Sequence, residues 1–205
     1  MNQEDKDKVI TALGGKKGLL DAAVPSVVFL VSFNIFHNLM YSIYGSVATS
    51  VVLTVLRIIQ KETLMHSISG LLGVGFCAFI AWKTGTPKGY YAPSLWKNGG
   101  YALGYLISIL VRWPIIGVLL GAILGEGTSW RNDAARMRVY KIATALWVGM
   151  FALRLVIQYP LYHLDYLNAL GIANIFLGLP LYFATLWATW LVVKSAPVTK
   201  KPDVS

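Results

Sequence analysis

The side chains able to do chemistry in this sequence are a few polar groups that fall within long apolar stretches. Ionisable and amide groups are costly inside lipid and usually face a bundle interior or a cavity, so they mark candidate sites. The candidates are Asp21, Asn34, Asn98, Arg154, Gln158, Asn168 and Asn174. Most of them are amides, whose chemistry is hydrogen bonding.

Arg154 and Gln158 are the pair best suited to binding. They are four residues apart and share a helix face, where they could hold an anion or a carbonyl group. A short turn ending at Asp165 makes the flanking helices antiparallel neighbours, so Asn168 or Asn174 is expected to complete a polar cluster near the outer side of the membrane. The favoured alternative is plainer: the Arg154 guanidinium rises to the lipid headgroups or pairs with Asp165.

Asp21 lies four residues before Pro25, which has no N–H to donate to the Asp21 carbonyl. This leaves a polar spot near the predicted cytoplasmic face, which a cation or a basic side chain could use. The favoured interpretation is that Asp21 is an N-cap, whose carboxylate accepts amide protons at a helix start.

Motifs for catalysis, metal binding or cofactor binding are absent from the sequence. His37, His66 and His163 are isolated and lack metal-ligand spacing, and there is no phosphate-binding glycine loop or nucleophile elbow. The nine carboxylates are scattered, whereas enzymes that hold magnesium diphosphate need them clustered. Cys77 is interpreted as a small buried hydrophobe. The sequence thus predicts no catalytic residue, no metal and no cofactor.

Membrane helices are the elements that must position these residues. Of the 205 residues 56% are hydrophobic and 13% are charged, with mean hydropathy +0.60, whereas a soluble domain carries roughly 25% charged residues. A helix crosses the hydrocarbon layer with about 20 apolar residues. Six such runs predict an all-α membrane protein with six transmembrane helices, at residues 19–37, 39–59, 64–82, 94–111, 139–158 and 166–193. The last run is long enough to bend, with Pro180 as the expected hinge.

A seventh apolar stretch, Pro114–Leu124, is too short to cross and is predicted to be a short re-entrant or interfacial helix. Glycines at four-residue spacing let another helix approach closely. Five such glycines lie in this stretch, directly after it or in the run before it: Gly100, Gly104, Gly117, Gly121 and Gly125. Contacts inside one subunit are the favoured interpretation, and homodimerisation is the alternative.

Basic residues set the predicted topology. The net charge is +9, and nearly all Lys and Arg flank one set of span ends, leaving only Lys83, Lys88 and Lys97 on the other side. Because cytoplasmic flanks are enriched in Lys and Arg, both termini are predicted to be cytoplasmic. Aromatic residues near the span ends are expected at the headgroup level, among them Trp82, Tyr90, Tyr91, Trp113 and Trp130.

Three segments follow from this topology. Residues 1–18 form a cytoplasmic N-terminal segment without signal-peptide features, residues 19–193 the transmembrane domain, and residues 194–205 a disordered cytoplasmic tail. No separate basic domain is present, so nucleic-acid binding is not expected. The expected partners are a bilayer with anionic headgroups, other membrane proteins or a second copy of the chain.

Local patterns along most of the chain resemble a known family. They are ALGGKKGLLDAAVPSVVF at 12–29, SGLLGVGFCAF at 69–79, Asn98-Gly99, Arg112-Trp113-Pro114, GEGTSWR at 125–131, and LRLVIQYPLY with LGLPLY. Residues 12–193 resemble an uncharacterised family of actinobacterial multi-span membrane proteins, domain of unknown function three-one-five-nine. The resemblance implies a plasma-membrane protein and supplies no catalytic residues. A fainter similarity is to intracellular septation protein A, a small multi-span protein linked to cell-envelope synthesis and division.

The function predicted from these observations is that of a non-enzymatic cell-envelope protein that acts through contacts with other membrane components. The alternatives are a transporter of a small solute or ion and, more weakly, a lipid-modifying membrane enzyme. A transporter needs discontinuous helices and polar groups near mid-membrane, and the sequence offers only Asn34, Asn174 and Pro180 there.

Overall fold

The computed structural model of the protein describes residues 15–60, 64–123 and 127–194, and every regular element within these ranges is helical. The α-helices are α1 (Gly15–Phe36), α2 (Leu39–Ile59), α3 (Leu64–Thr84), α4 (Ala92–Leu110), α5 (Ile115–Ile123), α6 (Ala134–His163), α7 (Leu167–Phe176) and α8 (Leu179–Lys194). Two 3-10 helices, Pro87–Tyr91 and Ser129–Asn132, precede α4 and α6. The all-α class predicted from the sequence is confirmed.

Three helices are long and apolar enough to cross a membrane by length and composition: Leu39–Ile59, Ala134–His163 and Leu167–Lys194, the last taken across its break. The helical segments Pro87–Leu110 and Ile115–Ile123 are bent by 79° relative to each other. If this bent pair is one span, the number of crossings rises to four. Two shorter apolar helical stretches lie in the described part, Ala23–Phe36 and Ile68–Thr84. The arrangement with six membrane spans therefore stays a prediction.

The expected hinge in the last apolar run is present as a break. Helix α7 ends at Phe176 and α8 begins at Leu179, one residue before Pro180. Proline is tolerated in the first turn of a helix, where its missing N–H needs no partner. The break therefore lies where the sequence allows a helix to restart.

The chain divides into two compact units, one formed by Met1–Leu95 with Gln158–Phe176 and the other by Trp96–Ile157 with Leu177–Ser205. In the first unit α1 packs on α2 and α2 packs on α3. Four small hydroxyl residues recur every four positions along α2 and are buried: Ser42, Ser46, Ser50 and Thr54. Small residues let helix backbones approach closely, so this stripe is the packing seam of α2.

Aromatic residues form the core of the first unit. The Tyr90 ring stacks on Phe29 with 4.0 Å between centroids, and Tyr91 meets the same ring edge-on at 6.2 Å. Both tyrosines are 3% exposed. The 3-10 helix Pro87–Tyr91 packs on α3, and both rings are buried in the core. Their expected depth at the headgroup level stays a prediction.

In the second unit a cluster of Trp130, Met137 and Tyr140 holds the short helix α5. A Cβ added at Gly117 would lie 3.0 Å from the Tyr140 Cβ, and one at Gly121 would lie 2.6 Å from the Trp130 Nε1. Trp130 is 1% exposed and is therefore a core residue of this unit. Its expected depth at the headgroup level stays a prediction.

The predicted glycine contacts differ along the chain. Gly117 and Gly121 are seated against other elements, whereas a Cβ added at Gly100 or Gly104 would meet nothing within 4 Å. The latter two lie on an exposed side of α4. Gly125 lies outside the described residues.

Candidate functional site

A buried arginine lies in the second unit. Arg154 on α6 is 5% exposed. Its guanidinium carbon is 5.6 Å from the centroid of the Tyr182 ring on α8, and the guanidinium donates a hydrogen bond to the Tyr182 hydroxyl. Because Arg stays protonated in proteins, a positive charge is held inside the protein against an aromatic ring.

Further aromatic rings continue from Tyr182 and form what we call the aromatic wall. Trp147 and Phe151 on α6 each lie 6.1 Å from the Tyr182 ring. From α4, Tyr105 stacks on Trp147 at 6.0 Å and Tyr101 lies 5.2 Å from Phe151. Three helices thus supply one continuous ring surface.

The spacing of residues along each helix produces this wall. Trp147, Phe151 and Arg154 fall at i, i+4 and i+7 on α6, which places them on one face. On α8, Tyr182 and Thr189 share a face in the same way, and the Trp147 Nε1–H donates to the Thr189 Oγ1 at 3.0 Å. This bond satisfies the half-buried indole and fixes its orientation.

The arrangement is chemically suited to binding. A guanidinium cannot serve as a base, but its planar fork of donors matches a carboxylate or phosphate group. Aromatic rings beside it offer an apolar surface for the rest of a ligand. Within the ranges that the structure describes, no three His, Cys, Asp or Glu side chains come together as a metal site.

The two plainer alternatives for Arg154, rising to the headgroups and pairing with Asp165, stay predictions. The Arg154 side chain is buried in the second unit. Asp165 forms an ion pair with Lys88 in the first unit, with 2.6 Å between Oδ1 and Nζ. Lys88 also lies 5.2 Å from the centroid of the Tyr162 ring, which holds it over this turn.

Two of the predicted site residues meet in the first unit. The Asn34 Nδ2 donates to the Asn168 Oδ1 at 2.7 Å and to the Leu30 carbonyl at 2.8 Å. The bond joins α1 to α7, which also pack on each other. Both asparagines are exposed, and the pair is best understood as a clamp between two helices.

We expect the Asn34–Asn168 hydrogen bond to appear as a coupling energy between the two residues in a double-mutant cycle on the free energy of unfolding. Hydrogen bonds between membrane helices average about 0.6 kcal/mol and reach about 1.7 kcal/mol in double-mutant cycles. Asn34→Ala and Asn168→Ala should therefore lower the unfolding free energy less together than the sum of their separate effects. Unfolding in detergent measures this, with Asn132→Ala as an exposed control that should add independently to Asn34→Ala. Additivity of the Asn34 and Asn168 variants would contradict the clamp.

The remaining amides have different environments. Asn174 accepts a hydrogen bond from the Ser94 hydroxyl at 3.2 Å, in the first unit. Gln158 is 1% exposed, and its Nε2 has no hydrogen-bond partner within the described part of the chain. Asn98 on α4 is fully buried. The grouping of Gln158 and of Asn168 or Asn174 with Arg154 stays a prediction.

The capping interpretation of Asp21 is wrong. Helix α1 begins at Gly15, so Asp21 lies in its interior instead of at its start. Pro25 is likewise inside the helix and has no N–H for the Asp21 carbonyl. The predicted polar spot is therefore in the backbone of α1.

Comparison with known proteins identifies the family of the chain but no relative of known activity. No curated protein and no solved structure matches the sequence. A family described as Protein of unknown function (DUF3159) matches residues 13–200, which is nearly the whole chain. The chain therefore belongs to the DUF3159 family.

Proposed function

We propose that the protein is a multi-pass protein of the bacterial plasma membrane that binds an acidic membrane component and performs no catalysis. The observation that carries this proposal is the buried Arg154 guanidinium beside Tyr182 and the aromatic wall. Charged groups inside membrane helices are costly and mark ligand or ion sites. A component that joins a carboxylate or phosphate group to an apolar body would use both the charge and the rings.

The proposed topology has six spans, with both termini in the cytoplasm. Three helices are long and apolar enough to cross a membrane, and further apolar helices accompany them. The Lys88–Asp165 ion pair supports the topology, because six spans put the turns that carry these two residues on the same, external side.

The topology predicts a definite labelling pattern. Single cysteines replacing Lys17, Lys61, Arg136 and Lys200 should be protected from an impermeant thiol reagent in intact cells, and cysteines replacing Lys88 and His163 should react. Cys77 is replaced by Ala throughout, so that the new thiol is the only one. Labelling of the cysteine at position 136 from outside intact cells would rule out the six-span arrangement.

The proposed role is in the cell envelope, through contact with a lipid, another membrane protein or a second copy of the chain. The predicted plasma-membrane location supports this role.

Co-purification tests the proposal. Wild-type protein, Arg154→Gln and Arg138→Gln are extracted in a gentle detergent, and the proteins and lipids that accompany each are identified. Arg138 is an exposed arginine on the same helix and is the matched control. We expect an acidic component to accompany wild type and Arg138→Gln and to be lost from Arg154→Gln. The same set with all three proteins would overturn the assignment of Arg154.

Transport of a small solute or ion is the second candidate. The observations that favour it are two helix discontinuities, the break between Phe176 and Leu179 and the 79° bend between α4 and α5. Transporters bind substrates at such breaks. Uptake by proteoliposomes that Arg154→Gln abolishes would favour transport over the binding role.

A further inference from the structure

We infer that one end of the second unit is a binding surface for the headgroups of anionic lipids. The surface, which we call the basic-aromatic end, consists of Arg112, Trp113, Arg131, Trp190 and Lys194. It is separate from Arg154, and it rests on the membrane location given under the proposed function. The evidence for it is that α5, α6 and α8 place cations, tryptophans and an exposed apolar helix face close together.

The elements meet around one aromatic core. Trp130, Met137 and Tyr140 form the cluster at the start of α6, and Val193 near the end of α8 packs against it. Helix α5 is seated on the same cluster through Gly121. The second half of α5, the beginning of α6 and the end of α8 therefore share one end of the unit.

Helix α5 presents a bare apolar face at this end. Val118, Leu119 and Ile123 are 42%, 51% and 77% exposed, while Gly117 and Gly121 face the protein. Nine residues span only about 13 Å, and the 79° bend turns the helix nearly perpendicular to α4. A short apolar helix in this position lies at the membrane boundary, with its outer face among the acyl chains.

Two tryptophans at this end each lie beside a cation. The Arg131 guanidinium carbon lies 4.0 Å from the Trp113 ring centroid, and the Lys194 Nζ lies 4.9 Å from the Trp190 ring centroid. Tryptophan settles at the headgroup level, so these pairs hold their cations at the depth of lipid phosphates. Arg112, next to Trp113, is exposed as well.

A carboxylate, Asp133, lies nearby among the described residues. The Asp133 Oδ1 accepts hydrogen bonds from the backbone N–H groups of Ala135 and Arg136, at 2.8 and 3.3 Å, and so caps α6. Because Arg112, Arg131 and Lys194 outnumber it, the described part of this end is net positive and complements a negatively charged leaflet. Because α5 needs acyl chains beside it, the occupant is a lipid headgroup and not a free phosphate ion.

Thermal unfolding of the full-length protein in zwitterionic mixed micelles tests the inference. Phosphatidylglycerol, phosphatidylcholine with the same acyl chains, or inorganic phosphate is added, and the lipid concentration for half-maximal stabilisation is measured. We expect stabilisation by phosphatidylglycerol alone. Each basic residue near an anionic surface strengthens binding by about fivefold, so R131Q/K194Q should need about 25-fold more lipid. High salt should weaken the wild-type response in the same direction.

The matched control is Lys88→Gln, which removes a basic residue from the other unit and should respond as wild type does. Arg154 is unchanged in every protein compared, so a negative result would count against the basic-aromatic end and not against the proposed Arg154 site. If R131Q/K194Q fails to fold, the salt dependence of wild-type stabilisation by phosphatidylglycerol tests the inference. Equal stabilisation by phosphatidylcholine, an equal effect of inorganic phosphate, or no change with salt would overturn the inference.

Discussion

Gly121→Ala should lower the free energy of unfolding by about 1–3 kcal/mol, the usual cost of overpacking a close contact. The added Cβ would lie 2.6 Å from both the Gly127 carbonyl oxygen and the Trp130 Nε1. These two groups are hydrogen-bonded to each other at 3.0 Å, and the Gly127 N–H donates to the Gly121 carbonyl at 3.1 Å. The turn therefore cannot move away without breaking its own bonds. Unfolding in detergent at constant lipid content measures the change.

Gly100→Ala is the matched control for this prediction. It makes the same substitution within a helix, but the new Cβ meets nothing within 4 Å. Because alanine is favoured over glycine in a helix interior by about 1 kcal/mol, Gly100→Ala should be neutral or stabilising. Equal effects of the two substitutions would show that α5 is not seated through Gly121.

Replacing Arg154 and its partner together should separate stability from binding. In the double variant R154M/Y182F the buried charge and the hydroxyl it bonds are both removed, while the ring of the aromatic wall is kept. Exchanging buried ionic groups for apolar ones of similar volume is often neutral or stabilising by about 1–4 kcal/mol. We expect unchanged or raised stability with loss of the bound acidic component, measured on the same preparations.

Arg154→Lys tests whether the guanidinium shape, and not the charge alone, is needed for binding. Lysine keeps the charge but loses the planar fork of donors, so a site that binds carboxylate or phosphate through two parallel bonds should release its ligand. If instead R154M/Y182F unfolds readily while Arg154→Lys behaves as wild type, Arg154 is a structural cation and the proposed site does not exist.

The sequence predicted the helices well because long apolar runs leave a membrane protein few alternatives. Residues 39–59 coincide with α2, and the break before Pro180 follows from the missing proline N–H. The stripe of Ser42, Ser46, Ser50 and Thr54 was visible as a four-residue repeat, yet its role depends on which face of α2 meets α1 and α3. The spacing of residues along a helix shows which side chains share a face, but it does not show which other helix packs against that face.

Contacts between residues distant in sequence were the part that could not be predicted. Tyr90, Tyr91 and Trp130 lie near span ends, where aromatic rings usually mark the interface, but two 3-10 helices place them in cores. Asp165 was offered as a partner of Arg154, whereas the structure pairs it with Lys88, 77 residues earlier in the chain. Such pairings follow from tertiary packing, which local patterns do not encode.

Native mass spectrometry of protein extracted directly from its own membranes tests the central claim, that Arg154 binds an acidic membrane component. Wild type, Arg154→Lys and Arg138→Lys are compared, and the mass and abundance of the non-covalent adduct are read on the intact protein. The account predicts an adduct bearing a carboxylate or phosphate group on wild type and Arg138→Lys, and its loss from Arg154→Lys. An unadducted wild type, or equal occupancy of all three proteins, would contradict it.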